Sequence, residues 1–263
     1  MAVLRRPFAR ARRLARQVLW ECGVDEPSKI DPFMIVGRRG IQVIYARIDG
    51  ASARIFRHGD RAIIRVSDQI IQLGRLRFTI AHEVGHFLLG HRIPSESVLD
   101  AGAAVPFSVH QEREADVFAS EFLMPEEWVA PMCAATPTLT AVHAIAATFC
   151  ASVVASAVRY VEFACAPCAV VYSEQGSVVW AKRSASFPGR IPARGFKVGR
   201  GAVTFDYSDR NVLDAIPREV PSRAWLGTSA TSAIGASLVE HAELVPEWGG
   251  VLSLLTSPSA NQT

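Results

Sequence analysis

The feature that most constrains this chain is an apolar helical stretch, residues 75–91, RLRFTIAHEVGHFLLGH. Its apolar side chains recur at helical spacing, and no proline or turn cluster interrupts them. The stretch contains an H-E-x-x-H pattern, in which His82 and His86 lie four residues apart and therefore share one face of a helix. The spacing predicts a helix whose two imidazoles can point at one metal ion.

The chemistry of the pattern indicates zinc. Zn²⁺ binds neutral imidazole nitrogens, and a catalytic zinc site keeps one position for water. Glu83 leaves the helix at a different angle from the histidines, so its carboxylate can face that water as a general base. This is the arrangement of a zinc metalloprotease. The alternative is two surface histidines on an amphipathic helix, and a third ligand would decide between the two interpretations.

A second predicted helix, residues 110–124, supplies a candidate for that ligand. Glu112 and Asp116 are four residues apart in it and share one face. A carboxylate completes a zinc site of two histidines and one glutamate, so Glu112 is the expected third ligand. Asp116 is then expected to accept the free N–H of a ligating histidine, which would fix the tautomer of that histidine.

Other polar residues near the two helices receive different interpretations. His91 and His110 are rival ligands, although a third histidine at the metzincin spacing would fall on Arg92. Glu114 is expected to point elsewhere and to be solvated. The alternative for all the acids of the second helix is an exposed, solvated face.

Composition limits the class of protein. The chain has 263 residues, of which 49% are hydrophobic and 20% charged, values that suit a folded core and exclude extended disorder. A net charge of +3 does not by itself imply nucleic-acid binding. The five cysteines are scattered and odd in number, which favours a reducing cytoplasm over a disulfide framework. The opening residues carry no apolar core of a secretory signal.

Two segments could suggest other locations. The arginine-rich first twenty residues could be a transit peptide or a nucleic-acid arm, but their interleaved apolar residues favour an amphipathic helix. Residues 141–158 carry no formal charge and are long enough for a membrane span. Their weak hydrophobicity favours a buried or helix-turn-helix-type helical pair, and no membrane association is expected.

The first half is also predicted to hold a short helix and a small sheet. Asp31 is the expected N-cap of the helix, and Pro32 its first residue. Strands are predicted at residues 41–45, 53–56 and 62–66, with a hairpin turn at 58–60. The edge of such a sheet can pair with an extended substrate by strand addition.

The second half changes from helical to β-rich. Residues 138–163 predict two helices, as either a helix-turn-helix or a packing element, and Arg159 is the one basic residue of the second helix. Cys165 and Cys168 form a lone C-x-x-C without thioredoxin context, so no redox or zinc role is assigned to them. Strands are then predicted at residues 169–172, 178–182, 195–198, 202–207, 233–241 and 250–255, forming a second α+β domain.

Together the two helical motifs resemble the ImmA/IrrE family of metallopeptidases. HEVGHFLLGH matches the family's H-E-x-G-H helix, and QEREADVFASEFLMP matches its second helix. The match is strong over about residues 35–125, and the second motif occupies Glu112, Ala115, Asp116, Phe118, Ala119, Leu123, Met124 and Pro125. The resemblance implies that His82, His86 and Glu112 bind zinc and that Glu83 is the base.

The resemblance also implies an organisation and a role. The expected fold class is α+β. A minimal gluzincin-like peptidase core fills residues 1–136, a helix-turn-helix-like segment 137–164, and a GAF-like sensor domain 165–263. The expected activity is cleavage of a helix-turn-helix (Xre-type) repressor, which switches on a stress response or mobile-element genes, with a signal ligand at the C-terminal domain. The alternatives are a non-catalytic DNA-binding regulator with a structural zinc site, and a zinc hydrolase of another substrate class.

Overall fold

A computed structural model describes residues 8–48, 50–58, 61–95, 107–210, 213, 216–227 and 235–258. Packing divides the chain into two units. The first unit comprises Met1–Trp128 and Ala146–Ser152, and the second comprises Val129–Ile145 and Val153–Thr263. The predicted three-part division at residues 136 and 164 stays a prediction, because packing units do not test functional boundaries. Helices and two sheets together confirm the α+β class.

The first unit begins with two helices and a three-stranded sheet: α1 (Ala9–Glu21), α2 (Pro32–Arg38), β1 (Gln42–Ala46), β2 (Ala53–His58) and β3 (Arg61–Ser67). Asp31 caps α2 as predicted, since its side chain accepts a hydrogen bond from the Phe33 N–H at 3.0 Å. The strand order is β1-β3-β2, with β1 parallel and β2 antiparallel to β3. This order leaves β2 at an edge. The predicted turn residues Gly59 and Asp60 lie outside the described residues.

Two longer helices carry the predicted site. They are α3 (Leu73–Leu88) and α4 (Val109–Leu123), followed by a short α5 (Glu126–Val129). A capping box starts α4, because the Ser108 hydroxyl accepts from the Gln111 N–H at 3.2 Å and the Gln111 side chain accepts from the Ser108 N–H at 2.9 Å. Both α1 and α3 pack against α4.

The arginine-rich opening is confirmed as an amphipathic helix over its described part. Ala11, Ala15, Val18 and Leu19 of α1 are buried, while arginines occupy four of its other positions. Arg12 and Arg16 pair with the buried Glu121 of α4, at 3.2 and 2.6 Å. A buried carboxylate needs such partners, so these two arginines help to hold α4 in place.

A helical pair follows, α6 (Leu139–Phe149) and α7 (Val153–Phe163), with 113° between the two helices. Among the described residues no single helix is long and apolar enough to cross a membrane. The two helices of this bent pair would be long and apolar enough only when taken together. In the second unit α7 packs on β4 (Cys168–Glu174) and β5 (Ser177–Arg183).

The rest of the second unit is built on a five-stranded antiparallel sheet of order β5-β4-β8-β7-β6. Its further elements are α8 (Val203–Arg210), β6 (Arg218–Pro221), α9 (Ser222–Leu226), β7 (Ser237–Val245) and β8 (Gly250–Thr256). The core on one face of the sheet includes Val171, Phe187, Trp225, Leu238 and Leu255.

The strand predicted at residues 202–207 is wrong, because this segment is α8. The completely buried Glu240 carboxylate of β7 accepts hydrogen bonds from the Val203 N–H at 2.8 Å and the Thr204 N–H at 3.0 Å. These are donors at the start of a helix that no helical carbonyl can satisfy. Glu240 also accepts from the Trp225 indole at 3.0 Å, so a distant acid stabilises the helical conformation of an otherwise β-prone sequence.

Candidate metal centre

The close approach of α3 and α4 creates the candidate site. Gly85 of α3 faces α4, and a Cβ at this position would lie 3.0 Å from Phe118 Cδ1 and 3.3 Å from Ala115 Cα. A side chain at residue 85 would therefore require Phe118 and α4 to shift away from α3. The glycine within the H-E-x-x-H motif lets α4 bring its acidic first turns to the histidines.

Three side chains meet where the helices cross. His82 Nε2 lies 3.0 Å from His86 Nε2 and 3.2 Å from Glu112 Oε2, and His86 Nε2 lies 3.8 Å from the same oxygen. Tetrahedral zinc with bonds of about 2.1 Å separates its ligand atoms by about 3.4 Å. All three donor atoms lie within 4.8 Å of one another, so the set fits one metal ion.

Asp116 lies behind the first histidine, as predicted from the four-residue spacing. Its Oδ1 is 2.9 Å from His82 Nδ1. Because an ionised carboxylate only accepts, Nδ1 carries the hydrogen and Nε2 presents its lone pair toward the other two ligand atoms. Burial lowers the pKa of His82, but the Asp116 hydrogen bond and the nearby charges of Glu83 and Glu112 outweigh burial, so the pKa is raised overall.

A longer relay lies behind the second histidine. His86 Nδ1 is 2.9 Å from His91 Nδ1, and His91 Nε2 is 3.2 Å from Glu114 Oε2. If Glu114 is ionised, a neutral His91 must donate from Nε2 and accept at Nδ1. His86 then donates from Nδ1 and keeps its Nε2 lone pair for a metal. Burial, together with the repulsion that a protonated His82 or His91 would exert, lowers the pKa of His86 to about 3, so His86 is neutral at physiological pH.

This relay corrects the prediction for Glu114. Its side chain is only 13% exposed, and it contacts both His91 at 3.2 Å and His110 at 3.5 Å, so it is not a solvated residue. His91 is buried and bonded to His86, and neither His91 nor His110 belongs to the three-residue group. Phe107 further confines His86, because the two rings stack with centroids 3.7 Å apart. His91 and Glu114 lie 23 positions apart, so their contact depends on the crossing of α3 and α4 and not on any local spacing.

Glu83 lies against the three-stranded sheet. It is 7% exposed, and the backbone N–H of Ile55 on the edge strand β2 donates to its carboxylate. Burial raises the pKa of Glu83 to about 7, and the opposing effects of His82 and of the Ile55 N–H do not cancel this increase. A carboxylate of this kind exchanges a proton readily near neutral pH.

Two motifs of the second half do not form sites of this kind. Arg159 of α7 is 2% exposed and paired with Glu162 at 2.7 Å, so the one basic side chain available to a recognition helix is buried. Cys165 is exposed and Cys168 is buried, and both are free thiols. Burial raises the pKa of Cys168 to about 11, which keeps it protonated and unreactive.

Comparisons with known proteins agree with the motifs. Residues 36–160 match the family model described as the IrrE N-terminal-like domain, Peptidase_M78, which confirms the family resemblance. No curated protein matches the sequence. A solved structure described as a Mycobacterium tuberculosis transcriptional regulator aligns with a TM-score of 0.57 at 14% identity, covering 94% of this chain and 87% of that one. At this identity the likeness shows a shared fold.

Proposed function

Because the chain carries an IrrE N-terminal-like domain of a metallopeptidase family over residues 36–160, we propose that it is a zinc-dependent endopeptidase. The observation that carries this proposal is the convergence of His82, His86 and Glu112 within 4.8 Å. The proposed catalytic residue, Glu83, lies next to this group in the sequence. Fold and family together support a minimal gluzincin-like arrangement for the first unit.

The side chains divide the work of peptide hydrolysis. Zinc bound by the three ligands would polarise the scissile carbonyl and acidify an attacking water. Glu83 takes the proton of that water and delivers it to the leaving amine, a transfer suited to a carboxylate with a pKa near neutrality. Asp116 and the His91–Glu114 relay hold the two imidazoles in the tautomers that bind metal through Nε2.

The edge strand β2 offers a place for the substrate backbone. Its other edge pairs with β3, and the N–H of Ile55 is directed at Glu83. The outer edge of β2 is already paired at Arg57, because the Arg57 N–H donates to the Pro94 carbonyl at 2.9 Å. An extended peptide can add along the remaining edge, which would bring its scissile bond beside Glu83.

The substrate we propose is a helix-turn-helix repressor of the Xre type, cleaved in the cytoplasm to release stress-response or mobile-element genes. Support comes from the ImmA/IrrE resemblance and from the shared fold with a protein described as a transcriptional regulator. The second unit, a GAF-like sensor by the same resemblance, would bind a signal ligand.

Substitution of Glu83 by Gln tests the activity. The Glu83→Gln variant should retain the three ligands and bind zinc, but lose cleavage of a co-expressed repressor by at least about a hundredfold, the usual contribution of general acid–base catalysis. Glu127→Gln, a change of the same kind at an exposed residue of the first unit, should cleave normally. Cleavage at the parent rate by a zinc-loaded Glu83→Gln variant would contradict the proposed mechanism.

A further inference from the structure

The second unit contains a stretch in which all the charges are positive. Residues 175–205 contain no aspartate or glutamate, although the chain as a whole has 25 acidic residues against 28 lysines and arginines. Six basic residues fall in this stretch: Lys182, Arg183, Arg190, Arg194, Lys197 and Arg200. The net charge of +3 therefore hides a local concentration of cations.

Four of these six cations line one cleft. It has a volume of about 280 Å³ and lies between β5 and the segment 190–194. Among the described residues, no acidic side chain lines it. Its lining combines the four cations with apolar groups, of which the largest are Trp180 and Ile191.

Hydrogen bonds hold both ends of the segment that forms the outer wall. At one end the Val178 N–H donates to the Phe196 carbonyl at 2.9 Å, and the Gly195 N–H donates to the Val178 carbonyl at 2.8 Å. At the other end the Arg183 guanidinium donates to the carbonyl of the buried Phe187 at 2.9 Å. The cleft thus lies against an edge strand between two anchored points, which makes it part of the fold.

The charges of the cleft are not neutralised within the described part of the chain. There, no carboxylate forms an ion pair with Lys182, Arg190 or Arg194. Like charges placed together repel one another, and an anion between them removes that repulsion. Guanidinium groups bind phosphate oxygens through two parallel hydrogen bonds, so arginines favour a phosphate over a simple halide.

The apolar part of the lining favours a ligand with a ring. Ile191 and Pro192 of the outer wall provide an apolar surface, and Ile191 is held in position because it packs on the core of the second unit. Such a surface suits a planar or apolar group. A volume near the lower limit of ligand pockets, about 300 Å³, fits a molecule the size of a mononucleotide.

We propose that this cleft binds a small phosphorylated ring compound, with the phosphate on the arginines and the ring on Ile191 and Pro192. The inference deepens the proposed function, because it names the chemical class of the signal ligand assigned to the second unit. It needs neither zinc nor Glu83, so its failure would leave the peptidase proposal untouched.

Calorimetric titration of the full chain with AMP, adenosine and inorganic phosphate tests the proposal at constant ionic strength. AMP should bind at least about tenfold more tightly than either adenosine or phosphate, because only AMP engages both parts of the cleft. The double variant Arg190→Ser with Arg194→Ser should weaken AMP binding at least about tenfold. The Glu83→Gln variant should bind AMP as the parent does, which separates this result from any loss of peptidase activity.

A matched control distinguishes a site from a general attraction. Lys197→Ser with Arg200→Ser removes the same charge from the same stretch but outside the cleft lining, and should change AMP affinity less than about twofold. Ile191→Ala should weaken the binding of AMP without weakening the binding of inorganic phosphate. Absence of AMP binding, equal loss in both double variants, or adenosine binding as tight as AMP would overturn the proposal. Tight duplex DNA binding, lost equally in both double variants, would instead identify a polyanion surface.

Discussion

Buried Glu83 makes the metal-free protein sensitive to pH in a way that a single substitution can reveal. An unperturbed glutamate has a pKa of 4.5, whereas burial raises the pKa of Glu83 in the folded chain to about 7. The folded state therefore holds a proton that the unfolded state releases between these values. Stability must fall as pH rises through this window, by the sign of the proton linkage.

The size of the effect follows from the two pKa values. A difference of about 2.5 pH units corresponds to about 3 kcal/mol of destabilisation once pH exceeds 7. Near pH 5 the folded carboxyl is still protonated, and the penalty is only about 1 kcal/mol. Glu83→Gln removes the ionisable group while keeping its shape. The free energy of unfolding of the variant should therefore exceed that of the parent by about 2 kcal/mol more near pH 8 than near pH 5.

Hydrogen exchange of the α3 amides in chelator measures this difference within the unit that carries the site. Exchange rates corrected for intrinsic chemistry at each pH give the free energy of opening. Glu127→Gln, at an exposed position, should alter this free energy little at either pH. The reasoning would be refuted if Glu83→Gln raised the free energy of opening equally near pH 5 and pH 8, or lowered it near pH 8.

Three further predictions concern packing and positioning. Gly85→Ala should destabilise the first unit by about 1–3 kcal/mol and weaken zinc binding, because the new Cβ meets Phe118 at 3.0 Å. Urea unfolding measures the change, and Gly37→Ala, whose new Cβ would have no atom within 4 Å, is the control. His91→Gln should weaken zinc binding about 10–100-fold in a chelator competition, while His110→Gln, whose side chain is 70% exposed, should bind zinc normally. Glu240→Gln should cost the second unit about 2–4 kcal/mol in urea unfolding, since an amide NH₂ would face donors that now bond a carboxylate; an unchanged midpoint would show that the cap is dispensable.

Local spacing accounts for the parts of the molecule that the sequence predicts well. The two histidines of α3 and the pair Glu112 and Asp116 of α4 each sit four residues apart, so their faces follow from helical geometry alone. The cap at Asp31 depends on its immediate neighbours and was predictable for the same reason. The α+β class follows from separate runs of helical and strand patterns along the chain.

Contacts between distant residues account for what the sequence does not predict. Whether Glu114 faces water or His91 depends on how closely α3 and α4 approach, which Gly85 controls through a contact that no periodicity encodes. The helix at Val203 depends on Glu240, 37 positions later, and local propensity favoured a strand there. Arg159 offers a charge in the sequence, and only the packing of α7 shows that this charge is buried.

The most direct test of the account is cleavage of an Xre-type repressor from the same genome by the purified chain, with and without chelator, together with zinc analysis. Zinc-loaded protein should cut the repressor, chelator should stop the reaction, and about one equivalent of zinc per chain should restore it, as expected for a single site of three ligands. Cleavage that continues in protein stripped of zinc, or zinc-loaded protein that leaves the repressor intact, would contradict the central claim.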